Sequence, residues 1–527
     1  MAARSVLNPI TPYTSAPLPA RDALPNRSTP ATVWIISTAL FALLMWVAPR
    51  YGYFRDELYY MACGEHPAWG YVDQPPLIGW IAWLLQHTIG TSLYALRLLP
   101  ALAASATVWL TARLAGELGG GSRAKIFAAL LAAVMPVAVT MAHLFTMNAF
   151  DLVLWTALAL ILVRIENAGD PRLWLAFGAL AGVAILNKYG VVFFLLALLV
   201  GTLATGWRRW FANTYCWVGV LLSILIALPN FLWQQQRHFP FLELMRNIRQ
   251  NGRDVTLPPL GFFLQQLQIV NPVSMLAVFA GTIWLLRRKR YGALGIAFVV
   301  FYLALMLMKA KNYYLAPVYP MMFAAGAVAL TQWTDRPRLR WIPAATAALA
   351  LAVLGFLLPL FVPVLDVPHF QQYMRVTGIK EPEFEHHKQA ALPQIYADMF
   401  GWPEMVEKIA AFYNTLTPEQ KQRTVLWGDN YGDAAAIDFF GPRYGLPKAI
   451  GGHQSYFIWG PRDYHRVDVI NVGSHDDETL QSECDSVRVV GHIYHPLARP
   501  DEEFDIYYCQ GLRMDLQQVW PRTKRWN

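Results

Sequence analysis

Residues 31–48 read ATVWIISTALFALLMWVA, an apolar run without a charged side chain. A bilayer core requires roughly 20 apolar residues in a helix, and about 17 to 25 are tolerated, so this run can cross a membrane. Across all 527 residues, 55% are hydrophobic and only 15% are charged. That balance is too apolar for a soluble protein of this length. The composition therefore predicts an α-helical polytopic membrane protein.

The same length rule predicts eleven membrane spans. They lie near residues 31–48, 97–117, 124–142, 148–165, 173–187, 190–206, 211–232, 263–286, 291–308, 315–334 and 341–364. Residues 77–90 are also apolar, but the stretch is short and follows Pro75 and Pro76, which favours a helix along the interface. Residues 1–30 lack periodicity and no cleavage site follows the first run. We therefore expect a disordered cytoplasmic tail and not a cleaved signal peptide.

Basic residues predict the orientation of the spans, because Lys and Arg accumulate in short cytoplasmic loops. Alternate connections carry them, at 113–125, 164–172, 208–209, 287–290 and 336–340. With these loops in the cytoplasm, the N-terminus is inside and the chain after residue 364 is outside. Most of the net charge of +8 belongs to this orientation signal, and no nucleic-acid partner is expected.

From residue 365 onward the long apolar runs end. Short β-rich runs at 424–427, 467–472, 487–490 and 505–508 alternate with helical stretches near 400–415 and 433–440. This alternation predicts a small α/β domain. The chain thus divides into a tail (1–30), a transmembrane domain (31–364) and an extracytoplasmic α/β domain (365–527). The turn at 428–432 follows a strand but has no nucleotide-binding fingerprint, so a structural role is favoured over ligand binding.

Two of the four cysteines, Cys484 and Cys509, fall in this outer domain. An oxidising compartment outside the membrane would allow them to pair. We therefore predict a disulfide between them.

Acidic and aromatic residues follow the first span closely. Residues 53–60 read YFRDELYY, and residues 70–76 read GYVDQPP. A carboxylate within reach of an attacking hydroxyl can take its proton, and we choose Asp56 for this role. Asp151 begins the fourth span and is a further candidate catalytic residue, because an ionisable group there is costly without a partner or a cavity. The alternative is that the helix N-terminus simply stabilises its negative charge. Carboxylates at a membrane surface suggest chemistry on a lipid-borne substrate.

Cationic residues are predicted at the same outer face, where they suit a phosphate. Arg pairs with phosphate through two hydrogen bonds, and fixed cations stabilise a departing phosphate group. The open alternatives are a solvated helix on ordinary phospholipids and lysines that only snorkel to the interface. The candidate phosphate-binding residues are Lys188, Arg237, Arg246, Arg249, Lys309 and Lys311.

These motifs resemble a known family. The runs at 54–60 and 70–76 are similar to the first outer loop of the protein mannosyltransferases and aminoarabinose transferases, glycosyltransferase family 39 of the C-type (GT-C) superfamily. LNKYG at 186–190, KNYYLAPVYP at 311–320 and GDNYGDAAA at 428–436 resemble further segments of its bacterial branch. The resemblance implies the GT-C fold, with interfacial helices in the first outer loop, in a bacterial inner or plasma membrane.

The resemblance also implies an activity. A monosaccharide would pass from a polyprenyl-phosphate donor to a protein, lipid or glycan acceptor by inverting displacement at the outer face, among membrane lipids. Asp56 matches the catalytic aspartate, Asp73 the second acid near the acceptor or a metal, and Lys188 a lysine that contacts the donor. Glu57 would orient Asp56 or bind the sugar.

Sugar or lipid contacts are expected from an aromatic and basic set, for whose tyrosines interfacial anchoring is the alternative. The set is Arg55, Tyr59, Tyr60, Tyr71, His238, Tyr313 and Tyr314. A divalent metal ion on Asp56 and Asp73 stays open, because two acids do not define a site. The competing class is a lipid or sugar transporter or flippase without transferase activity. Transporters commonly contain internal repeats with paired broken helices, which the sequence does not display.

Overall fold

The structure is a computed structural model that describes residues 28–252, 257–379, 390–473 and 477–527. The predicted tail therefore lies almost entirely outside the described residues. Before residue 365 the described chain forms α1 (Ala31–Val47), α2 (Arg55–Glu65), α3 (Leu77–Thr88), α4 (Leu93–Glu117), α5 (Ser122–Ala133), α6 (Pro136–His143), α7 (Met147–Ala168), α8 (Leu173–Asn187), α9 (Gly190–Leu203), α10 (Thr214–Gln236), α11 (Pro240–Gln250), α12 (Pro259–Val270), α13 (Met275–Arg287), α14 (Gly292–Leu307), α15 (Tyr319–Trp333) and α16 (Ile342–Phe361).

Every stretch predicted as a span contains helix. Within the described residues, five helices are long and apolar enough to cross a membrane, and eight are if each of three bent pairs forms one span. The helices α1, α8 and α14 are apolar but shorter, at 17, 15 and 16 residues. These helices support an integral membrane protein, while the number eleven stays a prediction.

Two predicted spans are bent, which apolar length alone does not indicate. The axes of α5 and α6 differ by 60°, and those of α12 and α13 by 110°. Pro136 begins α6, and Pro272 follows Asn271, whose φ is 85°. Proline donates no amide hydrogen bond and keeps the preceding residue out of the α region, so a helix ends at each of these points.

Small residues let the helices approach each other closely. A Cβ on Gly326 of α15 would lie 2.0 Å from the carbonyl oxygen of Ala277 in α13, and one on Gly178 of α8 would lie 2.0 Å from that of Gly219 in α10. Such contacts are typical of helix packing in membranes. The span containing α15 is 83% buried, whereas α10 and α16 are only 28% buried. The first therefore lies at the centre of the bundle, and the other two present apolar surface outward.

The chain after residue 365 builds a four-stranded sheet flanked by helices. Strand β1 pairs with β2 in parallel, and β4 runs antiparallel to both β2 and β3, in the order β1-β2-β4-β3. The elements are α17 (Val367–Thr377), α18 (Gln394–Ala397), α19 (Trp402–Tyr413), α20 (Pro418–Arg423), β1 (Thr424–Gly428), α21 (Tyr431–Phe440), α22 (Ser455–Trp459), β2 (Asp468–Val472), α23 (Asp477–Glu483), β3 (Cys484–Ile493), β4 (Phe504–Leu512) and α24 (Leu516–Val519). The four β-rich runs fall on these strands. Cys484 and Cys509 form a disulfide between β3 and β4, with Cα atoms 5.7 Å apart.

The first loop and the sheet share one hydrophobic core. Leu58 and Tyr60 of α2 belong to the same buried cluster as Leu426 of β1, Ile437 of α21 and Ile470 of β2. The acids of α2 are positioned by this contact, because α2 packs against the sheet domain.

Candidate active site

A buried ion pair fixes the start of α2. Arg97 of α4 donates from Nε and Nη2 to the two oxygens of Glu57, at 2.9 and 2.8 Å, and only 1% and 0% of these side chains are exposed. Glu57 also accepts from the backbone amides of Phe54 and Phe145, both at 2.9 Å. Both carboxylate oxygens of Glu57 are thus engaged within the protein. The geometry supports a role for Glu57 in orienting the loop, and it does not support the expected contact with the sugar.

Asp56, the next residue back, is only half-buried. Its Oδ1 accepts a hydrogen bond of 2.8 Å from the hydroxyl of Tyr431, the first residue of α21. Arg55 donates to the same hydroxyl at 3.1 Å, and its guanidinium lies 4.7 Å from the centre of the Tyr431 ring. Asp56 is therefore held by the sheet domain as well as by its own helix.

Asp73 lies next to the same helix. The Tyr59 hydroxyl is 2.9 Å from Asp73 Oδ1 and 2.8 Å from Ser455 Oγ, and Ser455 also accepts from the amide of Val72 at 3.2 Å. Burial raises the pKa of Asp73 to about 7; the hydrogen bond from Tyr59 opposes this rise, and the charge of Asp56 adds to it. Asp73 can thus exchange a proton near neutral pH.

Lys188 belongs to a second group of side chains. Its Nζ donates to Asn148 Oδ1 at 2.5 Å and lies 5.3 and 4.8 Å from the ring centres of Tyr313 and Tyr314. Asp151, one turn along α7 from Asn148, contributes an attractive charge to Lys188. The structure therefore brings together Lys188, Asp151 and the two tyrosines.

Asp151 itself is well supplied with contacts. It is 3% exposed and accepts a hydrogen bond of 2.7 Å from Asn187 Nδ2. Lys311, in the loop that carries the two tyrosines, lies near enough to repel the charge of Lys188. Asp151 is therefore best understood as a buried counter-charge for Lys188.

A hydrogen-bonded bridge joins the two groups. Tyr189, next to Lys188, donates to Asn230 Oδ1 at 2.8 Å, and Asn230 donates to the carbonyl of Trp69 at 2.7 Å. Gln234 donates to the carbonyl of Tyr71 at 3.2 Å. Helix α10 thus connects the lysine to the loop that carries Asp73.

Four other basic residues of the prediction form no hydrogen bond or ion pair with these groups among the described residues: Arg246, Arg249, His238 and Lys309. Arg246 and Arg249 are exposed on α11, which is pinned to the chain terminus by Leu244 and by Asn247, which donates to the Trp526 carbonyl at 2.6 Å. His238 and Lys309 are exposed, with φ of 59° and 53°. Residues 253–256 of the same Arg-rich loop lie outside the described residues.

A cavity of about 440 Å³ opens beside the Asp73 group. Its wall includes Trp233 of α10 and Arg237, which follows the end of that helix and stacks on the Trp233 ring at 4.5 Å. Trp459 of α22, whose ring lies over His66 at 4.3 Å, also forms part of the wall. Ser455, which contacts Tyr59, also lines it. Its volume is in the range of small-molecule sites.

Two predicted aromatic contacts have structural partners. The Tyr71 hydroxyl donates to the carbonyl of Cys63 at 2.8 Å, and Tyr60 packs its ring edge-to-face on Phe145. Both are almost fully buried. Tyr71 still contributes to the cavity wall, whereas Tyr60 is part of the shared core.

The predicted metal position was tested against the side chains present. No group of three or more His, Cys, Asp or Glu residues able to hold a metal ion occurs in the part of the chain that the structure describes. Two carboxylates fall short of the six or more oxygen ligands that calcium takes. Among the described residues, Asp56 and Asp73 therefore do not supply the ligands of a protein-built metal site.

Comparisons with known proteins agree with this architecture. Residues 73–233 match the family model described as dolichyl-phosphate-mannose-protein mannosyltransferase. Two crystal structures of ArnT from Cupriavidus metallidurans, one bound to undecaprenyl phosphate and one in the apo state, superpose with a TM-score of 0.58 at 17% identity, covering 91% of this chain and 98% of theirs. No curated protein sequence matches the chain. At this identity the superposition shows the fold alone.

A third structure, the Archaeoglobus fulgidus oligosaccharyltransferase tethered to an acceptor peptide, has a TM-score of 0.45 at 11% identity, covering 80% of this chain and 63% of its own. The fold is similar to that of ArnT over most of the chain, and residues 73–233 match a mannosyltransferase family model. Both findings agree with the resemblance to this glycosyltransferase family that the motifs predicted.

Sequence reasoning missed two residues of the site, Arg97 and Tyr431. The sequence could have indicated Arg97, because a charged residue at the start of a predicted span requires a partner. Tyr431 stands in the GDNYG motif, which was interpreted as a turn. Its contact with Asp56 joins positions 375 residues apart. No local pattern indicates a contact of that range.

Proposed function

We propose that the protein is a membrane glycosyltransferase that moves a monosaccharide from a polyprenyl-phosphate donor to an acceptor hydroxyl. The family model that matches residues 73–233 describes enzymes named for dolichyl-phosphate-mannose, and the similar ArnT structure holds undecaprenyl phosphate. Both are polyprenyl phosphates. The observation that carries the proposal is that two acids and a lysine lie in one connected set of contacts. Hydrogen bonds lead from Tyr189, next to Lys188, through Asn230 to Trp69 in the loop that carries Asp73. The charge of Asp73 in turn acts on that of the half-buried Asp56.

In this proposal Asp56 is the general base. The acceptor oxygen forms a bond to the anomeric carbon while Asp56 takes the hydroxyl proton. The bond between that carbon and the phosphate oxygen breaks, and the phosphate leaves with the electron pair. A single displacement inverts the anomeric centre. Glu57 is unsuited to the same role because Arg97 and two amides already occupy its oxygens.

Lys188 and Lys311 would stabilise the departing polyprenyl phosphate. Charge grows on the phosphate as the bond breaks, so fixed cations lower the barrier. Tyr313 and Tyr314 lie within about 5 Å of Lys188 Nζ and fix its position. Arg246, Arg249 and Lys309 are better suited to lipid head groups, because they are exposed and lie apart from the lysine group.

The acceptor would approach through the cavity bounded by Trp233, Arg237 and Trp459. Asp73 adjoins it through Ser455 and Tyr59 and can donate or accept a hydrogen bond to the acceptor, since its pKa lies near neutral pH. The aromatic rings and the polar groups of the wall suit a ligand with apolar faces and hydroxyl edges.

The topology belongs to the same proposal. The basic loops would be cytoplasmic, and the sheet domain (365–527) would lie outside a bacterial inner membrane, over the transmembrane domain (31–364). The disulfide between Cys484 and Cys509 supports an oxidising side for the sheet. The shared core of α2 and the sheet requires both to be on one side.

The experiment incubates purified protein with a panel of polyprenyl-phosphate sugars and candidate acceptors, and follows release of polyprenyl phosphate together with the anomeric configuration of the product. We expect release with at least one donor and an inverted product. A transporter would instead move labelled lipid across proteoliposomes without cleaving it, and that result would replace the proposal.

A further inference from the structure

The residues that contact Asp56 include one from the sheet domain. We propose that Tyr431 is a positioning residue for the base, so that the sheet domain completes the active centre. The inference rests on the proposed function and adds to it a role for the GDNYG motif at 428–432. The hydroxyl of Tyr431 lies 2.8 Å from Asp56 Oδ1.

The direction of this hydrogen bond follows from the partners of the hydroxyl. A guanidinium has donors and no acceptor, so Arg55 Nη2 donates to the Tyr431 oxygen, at 3.1 Å. The single proton of the hydroxyl is then directed to Asp56. The Arg55 guanidinium also lies over the Tyr431 ring, which fixes the ring plane.

The motif places this hydroxyl rigidly. Asn430 caps α21 by accepting from the amides of Gly432 and Asp433, at 2.7 and 3.1 Å, so the helix begins at Tyr431. The Tyr431 amide donates to His453 Nδ1 at 3.1 Å. A Cβ on Gly428 would lie 2.5 Å from the amide nitrogen of Ala434, so strand β1 and helix α21 require a glycine there.

Arg55 is itself held from its other side. Glu502 lies 3.7 Å from Arg55 Nη1, and the Arg55 amide donates to the carbonyl of Asp398 at 3.0 Å. Glu502 lies next to Asp433, and burial raises the pKa of both carboxyls. Glu502 therefore holds Arg55, and Arg55 holds the Tyr431 hydroxyl in the position from which it donates to Asp56.

The charged and titratable groups that face Asp56 come from three elements. Arg55 and Tyr60 share its helix, Asp73 lies in the following loop, and Tyr431 comes from α21. A hydrogen bond to a carboxylate favours its charged form, whereas the negative charge of Asp73 disfavours it. Loss of the Tyr431 hydroxyl therefore makes Asp56 harder to ionise and frees its orientation.

The test compares Tyr431→Phe with the wild-type enzyme, using polyprenyl-phosphate release across a range of pH. The ring over Arg55 is retained and only the hydroxyl is lost. We expect the acid limb of the rate profile to move up by about one pH unit and kcat at neutral pH to fall about tenfold, with the KM for the donor unchanged. The matched control is Tyr456→Phe, which removes a hydroxyl that donates to Asp438 at 2.8 Å in the same domain.

The control should keep the wild-type profile. An unshifted profile in Tyr431→Phe, or an equal shift in both variants, overturns the inference. If Tyr431→Phe does not fold, Arg55→Lys replaces it: this variant keeps the charge but loses the planar fork, so the same upward shift is expected and its absence is decisive. A wild-type enzyme that cleaves no donor refutes the proposed function instead, which separates the two failures.

Discussion

The ion pair between Glu57 and Arg97 provides a direct test of how the first loop is held. The two side chains are 0% and 1% exposed and share two hydrogen bonds of 2.9 and 2.8 Å. Arg97 also donates to the carbonyls of Ala48 and Gly52, at 2.6 and 2.7 Å, so it ties the end of α1 to α2 and α4. The variant Glu57→Gln removes the charge and keeps the shape.

Removing one partner of a buried pair costs about 3 to 5 kcal/mol, because the other charge stays buried without compensation. Glutamine can still accept one of the hydrogen bonds, so we expect about 3 kcal/mol for Glu57→Gln. The loss should appear as a lower thermal unfolding midpoint of the detergent-purified protein. The midpoint is measured by size-exclusion chromatography of samples heated to a series of temperatures. Turnover should fall too, since Asp56 precedes Glu57 on the same helix.

The matched control is Glu65→Gln at the other end of α2. Its partner, Lys448, lies at 2.6 Å, but both side chains are about a third exposed, so the pair contributes only about 0 to 1 kcal/mol. Equal midpoints for Glu57→Gln and Glu65→Gln would refute the claim that the buried pair anchors the loop.

Three further outcomes are expected. The pKa of Asp73 is about 7 in the folded protein and about 3.9 in the unfolded chain, so the folded state binds more protons between these two pH values. The free energy of unfolding should therefore fall as pH rises through this window. Asp73→Asn should flatten that fall, and an unchanged pH dependence of the unfolding midpoint would contradict the expectation. Lys188→Ala should weaken donor binding about 10- to 100-fold in a lipid-binding assay while Lys448→Ala leaves it unchanged, and equal affinities would remove the phosphate role. Replacing Cys484 and Cys509 with Ser should cost about 3 kcal/mol for the 25-residue separation, and mass spectrometry of native membranes that finds both thiols free would refute the bridge.

Apolar length predicted where the helices lie, because burial in lipid leaves a strong local signal. It did not predict the bends between α5 and α6 and between α12 and α13, although Pro136 and Pro272 mark these two positions. A helix does form at 77–90, as α3 (Leu77–Thr88), and its place along the interface stays a prediction. The strands were also visible locally, as β-rich runs between turns.

The site was predictable only in part. Asp56, Asp73 and Lys188 could be found because they stand in short motifs, and the structure connects the groups around them. The sequence could not reveal the different environments of Asp56 and Glu57, since adjacent acids look alike in sequence. Their roles separate only when Arg97 from α4 and Tyr431 from α21 are placed beside them, and those contacts are set by tertiary packing.

The measurement that tests the central claim most directly compares wild type with Asp56→Asn, using the donor that the panel identifies. Asparagine keeps the shape of the side chain but cannot take the acceptor proton. We expect release of polyprenyl phosphate to fall at least about 100-fold while donor affinity stays near the wild-type value. Wild-type release by Asp56→Asn would contradict the assignment of Asp56 as the base.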